Sequence, residues 1–143
     1  MASESDLAEQ LLRRASDDEA AAKAMLPVES VTDVIVGFHA QQGVEKALKA
    51  VLAARGAEFP FIHDIGGLAK LCKEACAPLP DELDGADQLT PYAAGLRYDD
   101  DVAGSVDRET ALRWVTAAVQ WARQQIEPKE PSKDAGASPA QPQ

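Results

Sequence analysis

The chain has 143 residues, 45% of them apolar and only 5% aromatic, with a formal net charge of -10. That length fits one domain with a hydrophobic core of its own, and the apolar share excludes a chain that is disordered throughout. The acidic balance disfavours broad binding to a DNA or RNA backbone, while a local basic groove stays open because net charge does not describe distribution.

Alanine and leucine dominate, and both lose little entropy in a helix, so the chain is expected to be all-α. Residues 6–25 form the first predicted helix. Leu7, Leu11, Ala15, Ala22 and Leu26 recur at helical spacing, Ser5 or Asp6 can cap the start, and Pro27 marks the end. The longest periodic stretch is 32–55, with Thr32 or Asp33 as cap and Gly56 as a left-handed stop. Val34, Phe38, Gln41, Glu45, Leu48 and Leu52 share its apolar face, and His39, Gln42, Lys46 and Lys49 share a neighbouring polar face. Residues 57–64 read as a loop broken by Pro60, and Asp64 can cap a helix over 65–75. Pro78 and Pro80 interrupt the chain before a short helix over 81–96, broken or bent by Pro91. An acidic loop follows at Asp99-Asp100-Asp101. The last helix spans 107–126, with Leu112, Val115, Val119, Ala122 and Ile126 in register and Trp114 and Trp121 seven apart. From Pro128 the composition is that of a flexible tail, so the domain is expected over 1–127 and the tail over 128–143. Short connections between these helices predict an up-and-down antiparallel four-helix bundle with an additional short helix.

No run reaches the roughly 18 apolar residues of a membrane span, and the acidic, polar N-terminus does not read as a signal peptide. Cys72 and Cys76 share one helix face, where a disulfide is awkward, so two reduced thiols in a cytoplasmic protein are expected. His39, His63, Cys72 and Cys76 match no zinc spacing, and no metal or cofactor is expected.

Gln41 and Glu45 are the oddity, because they fall on the apolar face of the longest helix. Either that edge is exposed, or lysines such as Lys46 satisfy the acid, or the pair belongs to a polar site shared between helices or subunits. His63-Asp64 suits a helix cap or an oriented imidazole. Arg97, flanked by Tyr98 and by Tyr92, suits either a phosphate and a base or a pairing with the aspartates that follow.

Phe38-His39-Ala40-Gln41-Gln42-Gly43-Val44-Glu45-Lys46-Ala47-Leu48-Lys49-Ala50 resembles the central helix of HEPN domains (higher eukaryotes and prokaryotes nucleotide-binding). His63-Asp64-Ile65 resembles that family's His-Asp-Leu helix opening, and Leu89-Thr90-Pro91-Tyr92-Ala93 with Arg97-Tyr98 resembles its Thr-x-Tyr-Ala…Ala-Arg-Tyr stretch. The resemblance covers roughly residues 5–127. It implies a helical bundle that often dimerises, in a small bacterial or archaeal protein frequently paired with a minimal nucleotidyltransferase in a toxin–antitoxin arrangement. Many members of the wider superfamily are metal-independent RNases with an Arg followed by four to six residues and then His. This chain departs from that pattern: no histidine follows Arg97, and Arg55 precedes His63 by seven intervening residues.

The resulting expectation is a binding module for a nucleotide or RNA. His39, Gln42, Glu45 and Lys46 form its polar strip, with His63, Asp64, Tyr92, Arg97 and Tyr98 nearby. Arg97 and Lys46 would hold phosphate, Tyr98 or Tyr92 would stack on a base, and His39 or His63 would donate a hydrogen bond. A rival reading is a metal-independent RNase with His63 or His39 as acid/base and Arg97 as phosphate clamp. A third is a purely structural dimerisation domain anchored by Trp114, Trp121 and the Phe59–Phe61 loop.

Overall fold

A capping side chain stands before each long helix of the computed structural model, which describes residues 3–94 and 106–127. The first helix, α1 (Glu4–Met25), begins slightly earlier than the sequence predicts. Ser3, not Ser5 or Asp6, is the cap: its hydroxyl accepts from the Asp6 amide, and the Asp6 carboxylate accepts from the Ser3 amide. Thr32 caps α2 (Asp33–Ala54), and Gly56 takes the expected left-handed conformation just beyond it, at φ 70°. Asp64 caps α3 (Ile65–Glu74). Asp107 caps α4 (Arg108–Ile126), and the hydrogen bond from the Thr110 amide holds its carboxyl below the usual aspartate range.

The predicted short helix over 81–96 is corrected to two 3-10 segments, Asp81–Leu83 and Ala86–Ala94. Gly85 separates them at φ 87°, and Pro91 has no N–H for an α-helical ladder. Residues 95–105, which include Arg97, Tyr98 and the acidic loop, lie outside the described residues, as does the tail 128–143.

The core faces of two helices agree with the expected ones in part: Ala15 and Ala22 on α1, and Val115, Val119 and Ala122 on α4, are buried as expected. On α1 the buried positions are Ala8, Leu12, Ala15 and Ala22, leaving Leu7 exposed and Leu11 and Leu26 half-buried. Small residues let α1 approach α2 closely at Gly43. A Cβ added there would sit 2.4 Å from Val115 Cγ2 and 3.4 Å from the Ala15 carbonyl oxygen. On α4 the buried set is Ala111, Val115, Ala118, Val119, Trp121 and Ala122, with Leu112 and Ile126 only half-buried.

Helix α2 lies at the centre and packs against α1, α3, α4 and the longer 3-10 segment. This position explains why it is buried on almost every side, not along one stripe. Side-chain bonds set the directions. At one end Arg108 of α4 meets Asp33 of α2 and the connection that leaves α1. At the other end Arg55, which follows the last residue of α2, bonds Gln125, and Arg123 bonds Ser16 of α1. Helix α1 is therefore antiparallel to both α2 and α4. Among the described residues, no helix is long and apolar enough to cross a membrane.

Arg108 closes the first of these ends. Its Nε donates to Asp33 Oδ1 at 2.6 Å, and its Nη1 lies 3.0–3.2 Å from the carbonyls of Met25, Leu26 and Val28. Its Nη2 donates to the carbonyl of Val31. Without this side chain the α1–α2 connection loses donors for several partly buried carbonyls. Urea unfolding of Arg108→Ala is expected to show a loss of roughly 2–3 kcal/mol. The exposed Arg113→Ala is expected to change stability by under about 0.5 kcal/mol.

Both cysteines are free. Cys72 is buried, its thiol directed at the Leu48 carbonyl, and burial pushes it up to about 12. Cys76 is exposed. A thiol reagent at neutral pH is expected to label one cysteine per native chain, at Cys76, and two after denaturation.

Candidate polar site on the central helix

Gln41 is fully buried and Glu45 is 5% exposed, so the exposed-edge reading of this face does not hold. Glu45 instead receives three donors. Lys49 Nζ stands 2.8 Å from Oε2, while His63 Nδ1 at 2.9 Å and Gln41 Nε2 at 3.0 Å share Oε1. Lys49 and Gln41 reach it from one turn away on the same helix. His63 arrives because the chain after Gly56 doubles back along α2. Phe59 comes to rest beside Lys49, whose ammonium lies 5.9 Å from the ring centroid, and the His63 carbonyl accepts from Gln41 Nε2 at 3.0 Å.

Burial pushes the Glu45 carboxyl upward, but the hydrogen bonds from Lys49, His63 and Gln41 together outweigh it. The carboxyl is held below its ordinary value of 4.5. Glu45 is therefore ionised at neutral pH and can only accept, so His63 Nδ1 carries the proton that joins them. The His63 side chain is 66% exposed, which leaves its Nε2 edge to solvent.

The network continues from Gln41 toward α1. Gln42 Nε2 donates to Gln41 Oε1 at 2.7 Å, and Lys46 Nζ donates to Gln42 Oε1 at 3.2 Å and to Asp18 Oδ2 at 2.9 Å. His39 Nδ1 meets Asp18 Oδ1 at 3.0 Å. Two imidazole–carboxylate–ammonium groups thus sit on α2, His39–Asp18–Lys46 and His63–Glu45–Lys49, with the amides of Gln41 and Gln42 joining them. Both amide donors and the carbonyl of Gln41 have partners, as a buried amide requires. In each group the ring presents Nδ1 to a carboxylate, and Nε2 takes no part in the network. Lys46 uses two of its three protons inside the protein.

Of the site residues predicted from sequence, His39, Gln42, Glu45, Lys46 and His63 join in this network. Asp64 does not join them: it caps α3 by accepting from the Gly66 amide at 3.1 Å. Tyr92 requires a correction, since it is fully buried and unavailable to stack on a base. Its ring fills the space above Gly37, where an added Cβ would approach within 2.3 Å, and its hydroxyl bonds Val106 N at 3.1 Å. Arg97 and Tyr98 lie outside the described residues. Lys46, proposed as one partner for Glu45, pairs with Asp18 instead. Asp18 carried no signal in the sequence, because its partners lie 21 and 28 residues away. Lys49 did carry one, the Glu-to-Lys spacing of one helical turn.

The lowered Glu45 value makes a signed prediction. Its contribution to stability is complete above 4.5 and is lost as pH falls through the lower folded value. Glu45→Gln should cost roughly 2–4 kcal/mol at neutral pH, since it leaves Lys49 without a counterion in a buried position. In urea titrations at pH 7, 5, 4 and 3, the gap between wild type and Glu45→Gln should be widest near neutrality and close in acid.

Comparison with known proteins gives one finding. The family model of the HEPN domain matches residues 8–125, which takes in all of α2, α3 and the 3-10 segments and nearly all of α1 and α4. No curated protein and no solved structure matches the chain. The match spans most of the sequence, and this chain belongs to the HEPN domain family.

Proposed function

We propose that this HEPN domain is a binding module for a nucleotide or a single-stranded RNA, read at the edge of α2 where His39, Lys46 and His63 reach solvent. The carrying observation is the pair of imidazoles tied through Nδ1 to the carboxylates of Asp18 and Glu45. A ring tied in this way is oriented before the ligand arrives, so little order is lost on binding. Its free Nε2 meets a phosphate, ribose or base group, and Lys46 offers its third proton to an anion. Arg97, placed by the sequence on the segment after the 3-10 region, is assigned to the phosphate, and Tyr98 to a base.

The same reading gives the domain a partner. Resemblance to HEPN proteins paired with minimal nucleotidyltransferases supports a toxin–antitoxin arrangement, with the chain as a homodimer in the cytoplasm. The two free thiols suit that compartment.

One observation favours a catalytic variant of this reading. His63 is both exposed and oriented by a buried carboxylate, the arrangement that prepares an imidazole for acid/base work. In this variant His63 acts on the ribose and Arg97 clamps the phosphate, although the usual Arg–His spacing of the RNases is missing.

Calorimetric titration with ATP and GTP tests the binding reading. Saturable heat is expected, with Kd raised about tenfold or more by Lys46→Ala and by Arg97→Ala, equivalent to ~1.4 kcal/mol. Flat titrations with both nucleotides and with a single-stranded oligoribonucleotide would contradict it. RNA cleavage in EDTA that disappears in both His63→Ala and Arg97→Ala would instead establish the catalytic variant.

A further inference from the structure

Tyr92 is buried, yet the site does not lack an aromatic ring, because Phe61 is fully exposed two residues before His63. The exposure is built by the loop. Pro60 restricts the backbone, and the Ile62 amide donates to the Pro60 carbonyl at 2.9 Å, closing a three-residue turn centred on Phe61. Phe59 and Ile62 pack on the core on either side of the exposed Pro60-Phe61 pair, and the Phe61 ring goes out. The segment is pinned on both flanks, by Phe59 beside Lys49 and by His63, whose side chain is tied to Glu45 and whose carbonyl is tied to Gln41.

We propose that Phe61 is a stacking platform for an unpaired nucleobase, with the adjacent His63 Nε2 edge hydrogen-bonding the same nucleotide. This assignment rests on the nucleotide or RNA reading above and identifies the part of the site that contacts the base. The ligand chemistry follows from the surroundings. Glu58 and Asp64 flank the turn and are exposed, so a phosphate is repelled there, whereas the uncharged face of a base is not. A flat ring held clear of the surface accepts any base, because every base has a π-face. The loop therefore contributes affinity for the base without choosing its identity, and the phosphate is left to Lys46.

The test uses the full chain as wild type, Phe61→Ala and Phe61→Trp, titrated with ATP, an oligoadenylate and inorganic tripolyphosphate. Phe61 has no packing to lose, so the variants are expected to fold as wild type does. Wild type should prefer ATP to tripolyphosphate. Phe61→Ala should weaken ATP and oligoadenylate roughly 5- to 150-fold and leave tripolyphosphate unchanged. Phe61→Trp should restore the affinity and show indole quenching on ATP addition. Undiminished ATP binding by Phe61→Ala, alongside loss in Lys46→Ala, would overturn the platform while keeping the site. Undiminished ATP binding with loss of self-association in light scattering would overturn it in favour of a contact between protein chains. No binding of ATP or oligoadenylate by wild type would remove the nucleotide reading and the platform with it.

Discussion

A single buried carboxylate sets the terms for much of this structure. Glu45 lies on the most enclosed helix of the fold, where an unpaired charge costs several kcal/mol. Lys49 and Gln41 supply two of its donors from the same helix, but the third comes from a loop residue 18 positions away. The loop must therefore return along α2, since any other path leaves an acceptor site on Glu45 open and the second Gln41 proton unpaired. That return places Asp64 where it caps α3 and turns Phe61 to solvent. The same amide chain runs on through Gln42 and Lys46 to Asp18, which ties the position of α1 along α2 to the polar interior. At the far end Arg108 does comparable work by binding the α1–α2 connection to α4.

Much of the architecture was legible in the sequence, for identifiable reasons. Helix limits followed from Thr32, Gly56, Asp64 and Asp107, because caps and left-handed stops act within a few residues. Core faces were legible only coarsely. The α1 stripe held at Ala15 and Ala22 but not at Leu7, Leu11 and Leu26: the helix turns Leu7 outward and buries Ala8 and Leu12, since the close approach at Gly43 sets how α1 faces α2. Spacing alone could not give that rotation, which depends on what α2 presents. For the 81–96 region the sequence indicates one short helix broken or bent by Pro91, and it does not reveal the left-handed Gly85 that splits the segment into two 3-10 pieces.

The site divides the same way. Gln41 and Glu45 announced themselves as polar residues in an apolar register, whereas Lys49, assigned to the neighbouring polar face, was passed over as the partner of Glu45 although its i,i+4 spacing carried that signal. The contributions of Asp18 and His63 were not visible as contacts, because they depend on how α1 and the loop pack onto α2. Tyr92 failed as a ligand residue for a related reason. An aromatic in a short polar stretch reads as available, but Gly37 on α2 leaves a space that its ring fills.

The account rests most directly on the orientation of the His63 ring, with Nδ1–H given to Glu45 and Nε2 left open. Nitrogen-15 NMR of the imidazoles reads this directly in the neutral form of the ring. The account predicts a protonated Nδ1 and an unprotonated Nε2 at His63. In Glu45→Gln that preference should be lost at His63 while His39, held by Asp18, keeps its own. A wild-type His63 protonated at Nε2, or a tautomer unaffected by Glu45→Gln, would contradict it.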